Sequence, residues 1–364
     1  MQRPAYKIWG LVFLVVLFVV LISIDFLGTF DEIVPRLKKS SERGIYVTAN
    51  VARAPDYLRY LLWQAKRSGI NTIVIDAKRD LEPPVLEMVK NWELNRKSRV
   101  HANPWLTKLT KQLHDQGFIV TARLVVFKDD HLVLARPDLA VTMRGGGLYY
   151  DHKQGRWADP YSEEVRLYNE LIAEIAALSG VDEVQFDYIR FPAEGKAAEA
   201  VFPFKREGVS RVDAICEFLE DARKRLDKYN LSIGVDIFGV TAWQKPNDIK
   251  NLGQDLRRMA DHIDVISPMF YPSHFHSGYD GIDEPGAHPY YFVNAGVRKA
   301  KRILKGKKIK IVPWLQGFNL RSPDFGPSYV LRQVLACQDE GIDSFLVWNA
   351  ANRYEDTFQA LRKR

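Results

Sequence analysis

The run VDEVQFDYIRFP, residues 181–192, leads an apolar, strand-like segment into an acid, a phenol and a guanidinium. Asp187, Tyr188 and Arg190 are compatible with a structural ion pair at a strand end, and equally with the rim of an active site. Two carboxylates held close together can act as nucleophile, general acid and general base, which is the chemistry of glycosidases. The segments around this run decide between the two interpretations.

Two further strand-like segments carry a carboxylate near their ends. Asp76 lies in NTIVIDAKRD (71–80) and Asp236 lies in LSIGVDIFG (231–239). Adjacent strands are about 4.8 Å apart, so acids at matching heights on neighbouring strands stand near the separation of about 5 Å in a retaining glycosidase. The distance from Asp76 to Asp187 is expected nearer the inverting range. The sequence leaves both stereochemical outcomes open.

The elements that position these acids alternate short β-rich runs with longer amphipathic patterns, which is typical of parallel β/α units. The predicted strands span residues 44–50, 71–80, 118–127, 181–191, 231–239, 263–271, 308–318 and 343–350. Eight strands alternating with helices predict an α/β fold, a (β/α)8 TIM barrel over residues 44–364. The long stretch 128–160 after strand three is predicted as a structureless insert that serves as a lid or a binding wall.

Side-chain alternation gives each predicted strand an aliphatic face and a polar or aromatic face. In a barrel the aliphatic face packs under the helices and the other face points inward, so polar residues near the strand ends meet at one mouth. We predict Asp187 and Asp236 as the catalytic residues. Flat aromatic faces beside hydrogen-bonding groups suit pyranose rings. The predicted substrate-binding residues are Asp76, Lys78, Arg123, Tyr188, Arg190, Tyr271, His274, Trp314, Gln316 and Trp348.

Composition and charge exclude several classes of function. The net charge of +7 is concentrated in runs such as RLKKSSER (36–43) and KRILKGKKIK (301–310), without a basic stripe interleaved with aromatic residues, so no nucleic-acid partner is predicted. Cys216 and Cys337 form neither a disulfide framework nor a zinc pattern. No phosphate-binding glycine motif or serine elbow occurs, and we predict neither a metal nor a cofactor.

An N-terminal apolar run, IWGLVFLVVLFVVLISI (8–24), contains no charged residue. Its length is at the low edge of a membrane-spanning helix, and no A-x-A pattern follows, which favours an uncleaved anchor over a cleaved signal, although cleavage and secretion stay open. We therefore predict an anchor over residues 1–28, a charged tether over 29–43 and the barrel over 44–364. Arg3 and Lys7 precede the run, which favours an extracytoplasmic barrel, whereas the cations Arg36, Lys38, Lys39 and Arg43 after it count toward the opposite orientation.

Seven motifs together resemble a glycoside-hydrolase barrel family that was formerly labelled a domain of unknown function and is distantly related to α-amylase-type barrels. In chain order they are GIYVTAN, NTIVIDAKRD, VDEVQFDYIRFP, IGVDIFG, DVISPMFYPSHF, VPWLQGF and FLVWNA. The resemblance covers residues 44–350, and it implies a (β/α)8 barrel with hydrolase activity in exported or anchored bacterial proteins. In α-amylase-like barrels the nucleophilic Asp ends strand four and an acid Glu ends strand five. Asp187 matches the first position, whereas Asp236 stands at the second with a side chain shorter by one methylene.

Three hypotheses for the function follow. The first is a membrane-anchored glycoside hydrolase that acts on a polysaccharide or a cell-envelope glycan. The second is a catalytically silent barrel that binds glycan at the envelope. The third is a metal-dependent deacetylase or phosphodiesterase that uses the histidine-containing loop 271–289.

Overall fold

The computed structural model describes residues 41–95 and 99–362, and within them eight parallel strands close into a barrel. The (β/α)8 prediction is therefore confirmed. The predicted anchor, 1–28, and all of the tether except its last three residues lie outside the described residues. No helix in the described part is long and apolar enough to cross a membrane.

The barrel strands follow one another around the ring in chain order. They are β1 (Arg43–Val47), β2 (Thr72–Asp76), β3 (Ile119–Val125), β5 (Glu183–Asp187), β7 (Ser232–Phe238), β8 (Val265–Met269), β9 (Lys310–Ile311) with β10 (Trp314–Gln316) as one position, and β11 (Phe345–Trp348). Ile45 of β1 pairs with Val347 of β11, and Trp314 of β10 pairs with Met269 of β8. These two pairings close the ring.

Two strands differ from the predicted ones. The second strand ends at Asp76, and Lys78 begins the short helix Lys78–Leu81, so the prediction that Lys78 continues the inward face of this strand is wrong. The seventh barrel strand is interrupted at Pro313, which has no N–H group to donate to the sheet. The Pro313 carbonyl still accepts a hydrogen bond from the Leu346 N–H, so the barrel stays closed at this point.

Helices cover the outside of the ring. They span Ala49–Ala52, Pro55–Arg67, Lys78–Leu81, Pro83–Lys90, Trp92–Asn95, Pro104–His114, Asp130–Ala135, Glu163–Leu178, Arg211–Leu226, Pro246–Leu252, Leu256–Met259, Pro289–Ile303, Pro327–Asp339 and Glu355–Leu361. Ser162 and Ser210 begin two of the longest by accepting a hydrogen bond from a backbone N–H in the first turn.

The core is divided by the barrel wall. Aliphatic side chains such as Ile73, Ile75, Val184 and Ile237 point outward and pack with the helices in one large cluster. Inside the ring a smaller cluster is formed by Tyr46, Val74, Val265, Tyr271, Val312, Trp314 and Leu346. The two-faced character predicted for the strands is confirmed, because the aliphatic faces lie under the helices.

The stretch 128–160 is ordered, contrary to the prediction of a structureless insert. It contains the helix Asp130–Ala135, begun by a hydrogen bond from the Leu132 N–H to Asp129, and strand β4 (Thr142–Met143). β4 pairs antiparallel with β6 (Ala200–Val201) from the loop after β5. Hydrogen bonds within the insert and the pairing of β4 with β6 therefore give the insert a defined structure.

Candidate active site

A ring of polar and aromatic side chains lines the inside of the barrel near its C-terminal end. Its members are Tyr46, Asp76, Arg123, Asp187, Asp236, Tyr271, Trp314 and Trp348. Hydrogen bonds, ion pairs and ring contacts link all of them except Tyr271. Burial raises the pKa of Tyr271, and the nearby charges of Asp236 and Asp187 raise it further. Seven of the eight were predicted as site residues, and the structure brings them together.

Arg123 bridges two of the carboxylates. Its Nη1 donates to Asp76 Oδ1 at 3.0 Å, and its Nε donates to Asp187 Oδ2 at 3.0 Å, with Nη2 donating to the same oxygen. Burial lowers the pKa of Arg123, but Asp187 and Asp76 more than offset that effect and hold the pKa above its ordinary value. The three side chains form one ion network across β2, β3 and β5, in which Arg123 and Asp187 are buried and Asp76 is partly exposed.

Asp236 stands beside Asp187 on the neighbouring strand. Phe186 of β5 pairs with Val235 of β7, and continuing this register by one residue sets Asp187 opposite Asp236. The indole Nε1 of Trp314 donates to Asp236 Oδ1 at 2.6 Å. Burial, followed by the charge of Asp187, raises the pKa of Asp236 well above its ordinary value. The two carboxyl groups are therefore in different environments, since Asp187 is held in an ion pair whereas the surroundings of Asp236 favour its protonated form.

The backbone turns sharply just after Asp187. Tyr188 has φ of 50°, the left-handed region, which is uncommon for a residue with a side chain. This conformation directs the Tyr188 N–H to Asp187 Oδ1 at 2.6 Å. A left-handed residue of this kind costs on the order of 1–3 kcal/mol and clusters at functional sites. Both oxygens of Asp187 are thus held by donors.

An aromatic wall completes one side of the ring. Tyr46 stacks on Trp348 with ring centroids 4.0 Å apart, and Trp348 meets the edge of Trp314 at 5.6 Å. The Tyr46 hydroxyl donates to Asp76 Oδ2 at 2.9 Å. Tyr46 was not among the predicted site residues. The available signal was the alternation in GIYVTAN, which sets Tyr46 on the face opposite Ile45 and Val47.

Loops above β8 and β10 extend the mouth. Tyr271 contacts His274 and Phe318, with ring centroids 5.2 and 5.6 Å away. Beside them lies a cavity of about 660 Å³. Its lining includes Ser273, Phe275, Asp283, Asn319, Arg321 and Ser322.

Gln316, predicted to bind substrate, holds these loops in place. Its Oε1 accepts from the Ser273 N–H at 3.1 Å, and its Nε2 donates to Ser322 Oγ at 2.8 Å and to the Phe318 carbonyl at 2.9 Å. The amide is therefore occupied by the protein itself, and Gln316 connects the loop after β8 to the loop after β10.

The charged groups of Lys78 and Arg190 are also bonded to other groups of the protein. Lys78 Nζ pairs with Asp129 at 2.6 Å and donates to Asn169 Oδ1 at 2.9 Å, which ties the insert to the helix Glu163–Leu178. Arg190 pairs with Glu194 at 2.6 Å in the loop after β5. The structure does not bring these two cations into the ring, because each is buried against a loop that it fastens.

Within residues 41–95 and 99–362, no three histidine, cysteine or carboxylate side chains converge as ligands for a metal ion. His274 contacts Ser273, and His276 contacts the Ser277 carbonyl. The histidine loop contributes an aromatic edge at the mouth through His274.

Comparison with known families decides the classification. A family model described as "Putative glycosyl hydrolase domain" matches residues 44–354. The chain belongs to this glycosyl hydrolase family. The resemblance inferred from the motifs is thereby confirmed, and the chain carries a glycosyl hydrolase domain. No curated protein matches it in sequence.

Solved structures share the barrel of the glycosyl hydrolase family. The PgaB (BpsB) glycoside hydrolase domain from Bordetella bronchiseptica is 14% identical, with 88% of this chain and 98% of that chain covered and a TM-score of 0.58. The spore cortex-lytic enzyme SleL from Bacillus megaterium QM B1551 is 11% identical, with 90% and 74% covered and a TM-score of 0.51. A hypothetical protein from Ruminiclostridium thermocellum ATCC 27405 is 33% identical over 52% of this chain and 96% of that chain, with a TM-score of 0.43. At such low identities the first two similarities concern the fold alone.

Proposed function

We propose that this protein hydrolyses the glycosidic bonds of a polysaccharide or cell-envelope glycan, with Asp187 and Asp236 as the catalytic pair. The observation that best supports the proposal is the contrast between two carboxyl groups at equal height on adjacent strands. Asp187 is ion-paired with Arg123, whereas burial and the neighbouring charge raise the pKa of Asp236. Glycoside hydrolysis needs one ionised and one protonated carboxyl group flanking the scissile bond.

The register between β5 and β7 favours a retaining mechanism. Adjacent strands are about 4.8 Å apart, close to the separation of about 5 Å in retaining pairs and short of the inverting range. Asp187 attacks the anomeric carbon while the bond to the glycosidic oxygen breaks, and Asp236 gives its proton to that oxygen. Asp236 then takes a proton from water, which attacks the anomeric carbon and releases Asp187.

The surrounding side chains have supporting roles in this proposal. Trp314, Trp348 and Tyr271 offer apolar faces to the sugar rings, and Tyr46 holds Asp76 for hydrogen bonding to hydroxyl groups. Arg123 fixes the orientation of Asp187. The cavity beside the mouth is large enough to receive further sugar units of a polymer.

The decisive experiment measures reducing ends released from a panel of bacterial exopolysaccharides and peptidoglycan. Asp187→Asn is expected to abolish release, and Asp236→Asn to reduce it by about 10²-fold or more, the usual loss of a general acid. Asp213→Asn, in the partly exposed first turn of the helix Arg211–Leu226, is the matched control and keeps wild-type turnover. Wild-type turnover in Asp187→Asn removes this residue from the mechanism.

A second candidate is a barrel that binds glycan without cleaving it. It is favoured by the low exposure of the pair, 6% for Asp187 and 2% for Asp236, and by the donors on both oxygens of Asp187. This candidate predicts binding to an oligosaccharide array with no reducing ends released by the wild-type protein. The same panel therefore separates the two functions.

We also propose that the chain is attached to the membrane through residues 1–28, with the barrel outside the cytoplasm. The support is the uncharged apolar run 8–24 with Arg3 and Lys7 before it. Attachment predicts that the full chain stays in the membrane fraction after an alkaline carbonate wash and that added protease degrades the barrel in intact spheroplasts. Release by carbonate or protection from protease contradicts this part.

A further inference from the structure

The end of the barrel opposite the mouth is where the chain enters the fold. β1 begins at Arg43, and the preceding Glu42 pairs with Lys310 of β9 at 2.5 Å. The Glu42 backbone N–H also donates a hydrogen bond to the Ser344 hydroxyl oxygen, 3.0 Å away, just before β11. Glu42, at the start of the described part of the chain, therefore lies beside the loop that leads into β9. We call this end of the barrel, with the loop Lys305–Lys308, the entry face.

A polar pocket of about 630 Å³ opens on the entry face. Its charged lining consists of Arg223, Arg257, Asp261, Asp264, Lys307 and Lys308. Both acids are already neutralised, because Asp264 pairs with Arg223 at 2.7 Å and Asp261 pairs with Lys307. The lining therefore keeps two positive charges in excess, those of Arg257 and Lys308.

These two cations have no acidic partner in the described part of the chain. The Arg257 guanidinium donates to the carbonyls of Ile303 at 2.9 Å and Lys305 at 3.3 Å, and Lys308 is exposed at the pocket edge. Arg302 and Lys305, from the same basic run 301–310, are also exposed.

Helix capping does not explain all of this positive charge. Basic residues in the last turn of a helix offset its dipole, which accounts for Lys301 and Arg302 in the helix Pro289–Ile303. Lys305 follows the C-cap Leu304 directly and can share this role, whereas Lys308 lies further along the chain, beyond the last turn of the helix. Unpaired cations around a polar pocket are instead suited to a phosphate group, which accepts several charge-assisted hydrogen bonds.

We propose that this pocket binds the phosphate of an anionic lipid headgroup, so that the entry face lies on the membrane surface and the mouth points away from it. The proposal rests on the proposed membrane attachment. Residues 25–40, between the apolar run and the barrel, span at most roughly 55 Å when fully extended, so the tether alone permits many orientations. The basic entry face selects one of them, because each lysine near an anionic surface favours binding by about fivefold.

The test places the full chain in lipid nanodiscs and measures acylation of individual lysines by mass spectrometry. Nanodiscs of phosphatidylcholine alone are compared with nanodiscs containing phosphatidylglycerol. Lys308 is expected to be acylated about fivefold less in the anionic nanodiscs, and about 0.5 M salt should remove this protection by screening. Lys205, exposed in the loop after β5 on the mouth side, is the internal control and reacts equally in both.

Two charge-reversal variants, one on the entry face and one on the mouth side, make the test more specific. Lys308→Glu is expected to abolish the lipid-dependent protection of Lys305, whereas Lys205→Glu leaves that protection intact. Equal acylation of Lys308 in both nanodiscs overturns the proposal, as does protection by inorganic phosphate or by a short DNA duplex but not by phosphatidylglycerol. Failure of the chain to enter either nanodisc overturns the attachment and this inference together, while glycan cleavage is measured separately.

Discussion

Glu183 lies at the start of β5 on the inward face of the barrel, below the ring of site residues. The position where a Cβ would stand on Gly234 is 2.7 Å from Glu183 Oε1, so the carboxyl group lies against the neighbouring strand. Burial raises the pKa of Glu183 from 4.5 to about 8, with Glu42 adding to the rise and Lys310 partly offsetting it. A neutral isostere, Glu183→Gln, should therefore stabilise the barrel at high pH.

The direction of the pH dependence follows from the protons bound by Glu183 in the folded and the unfolded state. Between pH 4.5 and 8 the unfolded chain has released the Glu183 proton while the folded barrel still holds it, so the free energy of unfolding falls as pH rises through this window. At 1.36 kcal/mol per pKa unit, the difference between the pKa of 4.5 in the unfolded chain and about 8 in the folded barrel lowers the free energy of unfolding by about 5 kcal/mol above pH 8. That is comparable to the whole stability of many domains, about 5–15 kcal/mol.

Urea unfolding followed by tryptophan fluorescence measures the effect. The gain in the free energy of unfolding for Glu183→Gln over wild type is expected to be near zero at about pH 4.5 and to approach about 5 kcal/mol at about pH 9. Glu87→Gln makes the same chemical change on the exposed surface of the helix Pro83–Lys90 and should show no such slope. A gain for Glu183→Gln that is constant from pH 5 to 9 refutes the argument.

Two further substitutions probe the packing of the barrel. Arg123→Met leaves the buried carboxylate of Asp187 without its cation and should lower the free energy of unfolding by about 3–5 kcal/mol. Restoring most of that loss by adding Asp187→Asn would confirm the cause, and an unchanged urea midpoint in the single variant would exclude it. Gly296→Ala places a Cβ 2.4 Å from the ring of Phe270 and should cost about 1–3 kcal/mol in the same assay, whereas a stabilised variant would show that the helix Pro289–Ile303 is not fixed by this contact.

The barrel and much of the ring could be predicted from sequence because alternation is a local property. Ile73 and Ile75 on one side of β2, and Val74 and Asp76 on the other, are enough to assign the faces without knowing any partner. Once eight such segments are arranged in parallel, the inward ends must meet. Asp187 and Asp236 could therefore be placed side by side from their positions in their strands.

The remaining errors concern residues whose partners are distant or lie in loops. Gln316 has the residue type and the position of a ligand-binding amide, but its amide is hydrogen-bonded to Ser273 and Ser322. Contacts between residues so far apart in the sequence leave no periodic pattern from which they could be predicted. Alternation places Lys78 on the inward face only if the strand continues, but the chain becomes a helical turn at this residue. An aromatic residue in a strand, such as Tyr46, is typical of the core as well as of a site, and only its contact with Asp76 distinguishes the two.

The pairing of β1 with β11 has a consequence for biosynthesis. Ile45 can meet its partner Val347 only after all the residues between them have been made, and Tyr354 closes the seam by donating to the Tyr46 carbonyl at 2.6 Å. Until then β1 presents an unpaired edge to other nascent chains, a known route to aggregation. The ring cannot close before β11 has been synthesised, so this edge of β1 stays open while the intervening strands and helices are made.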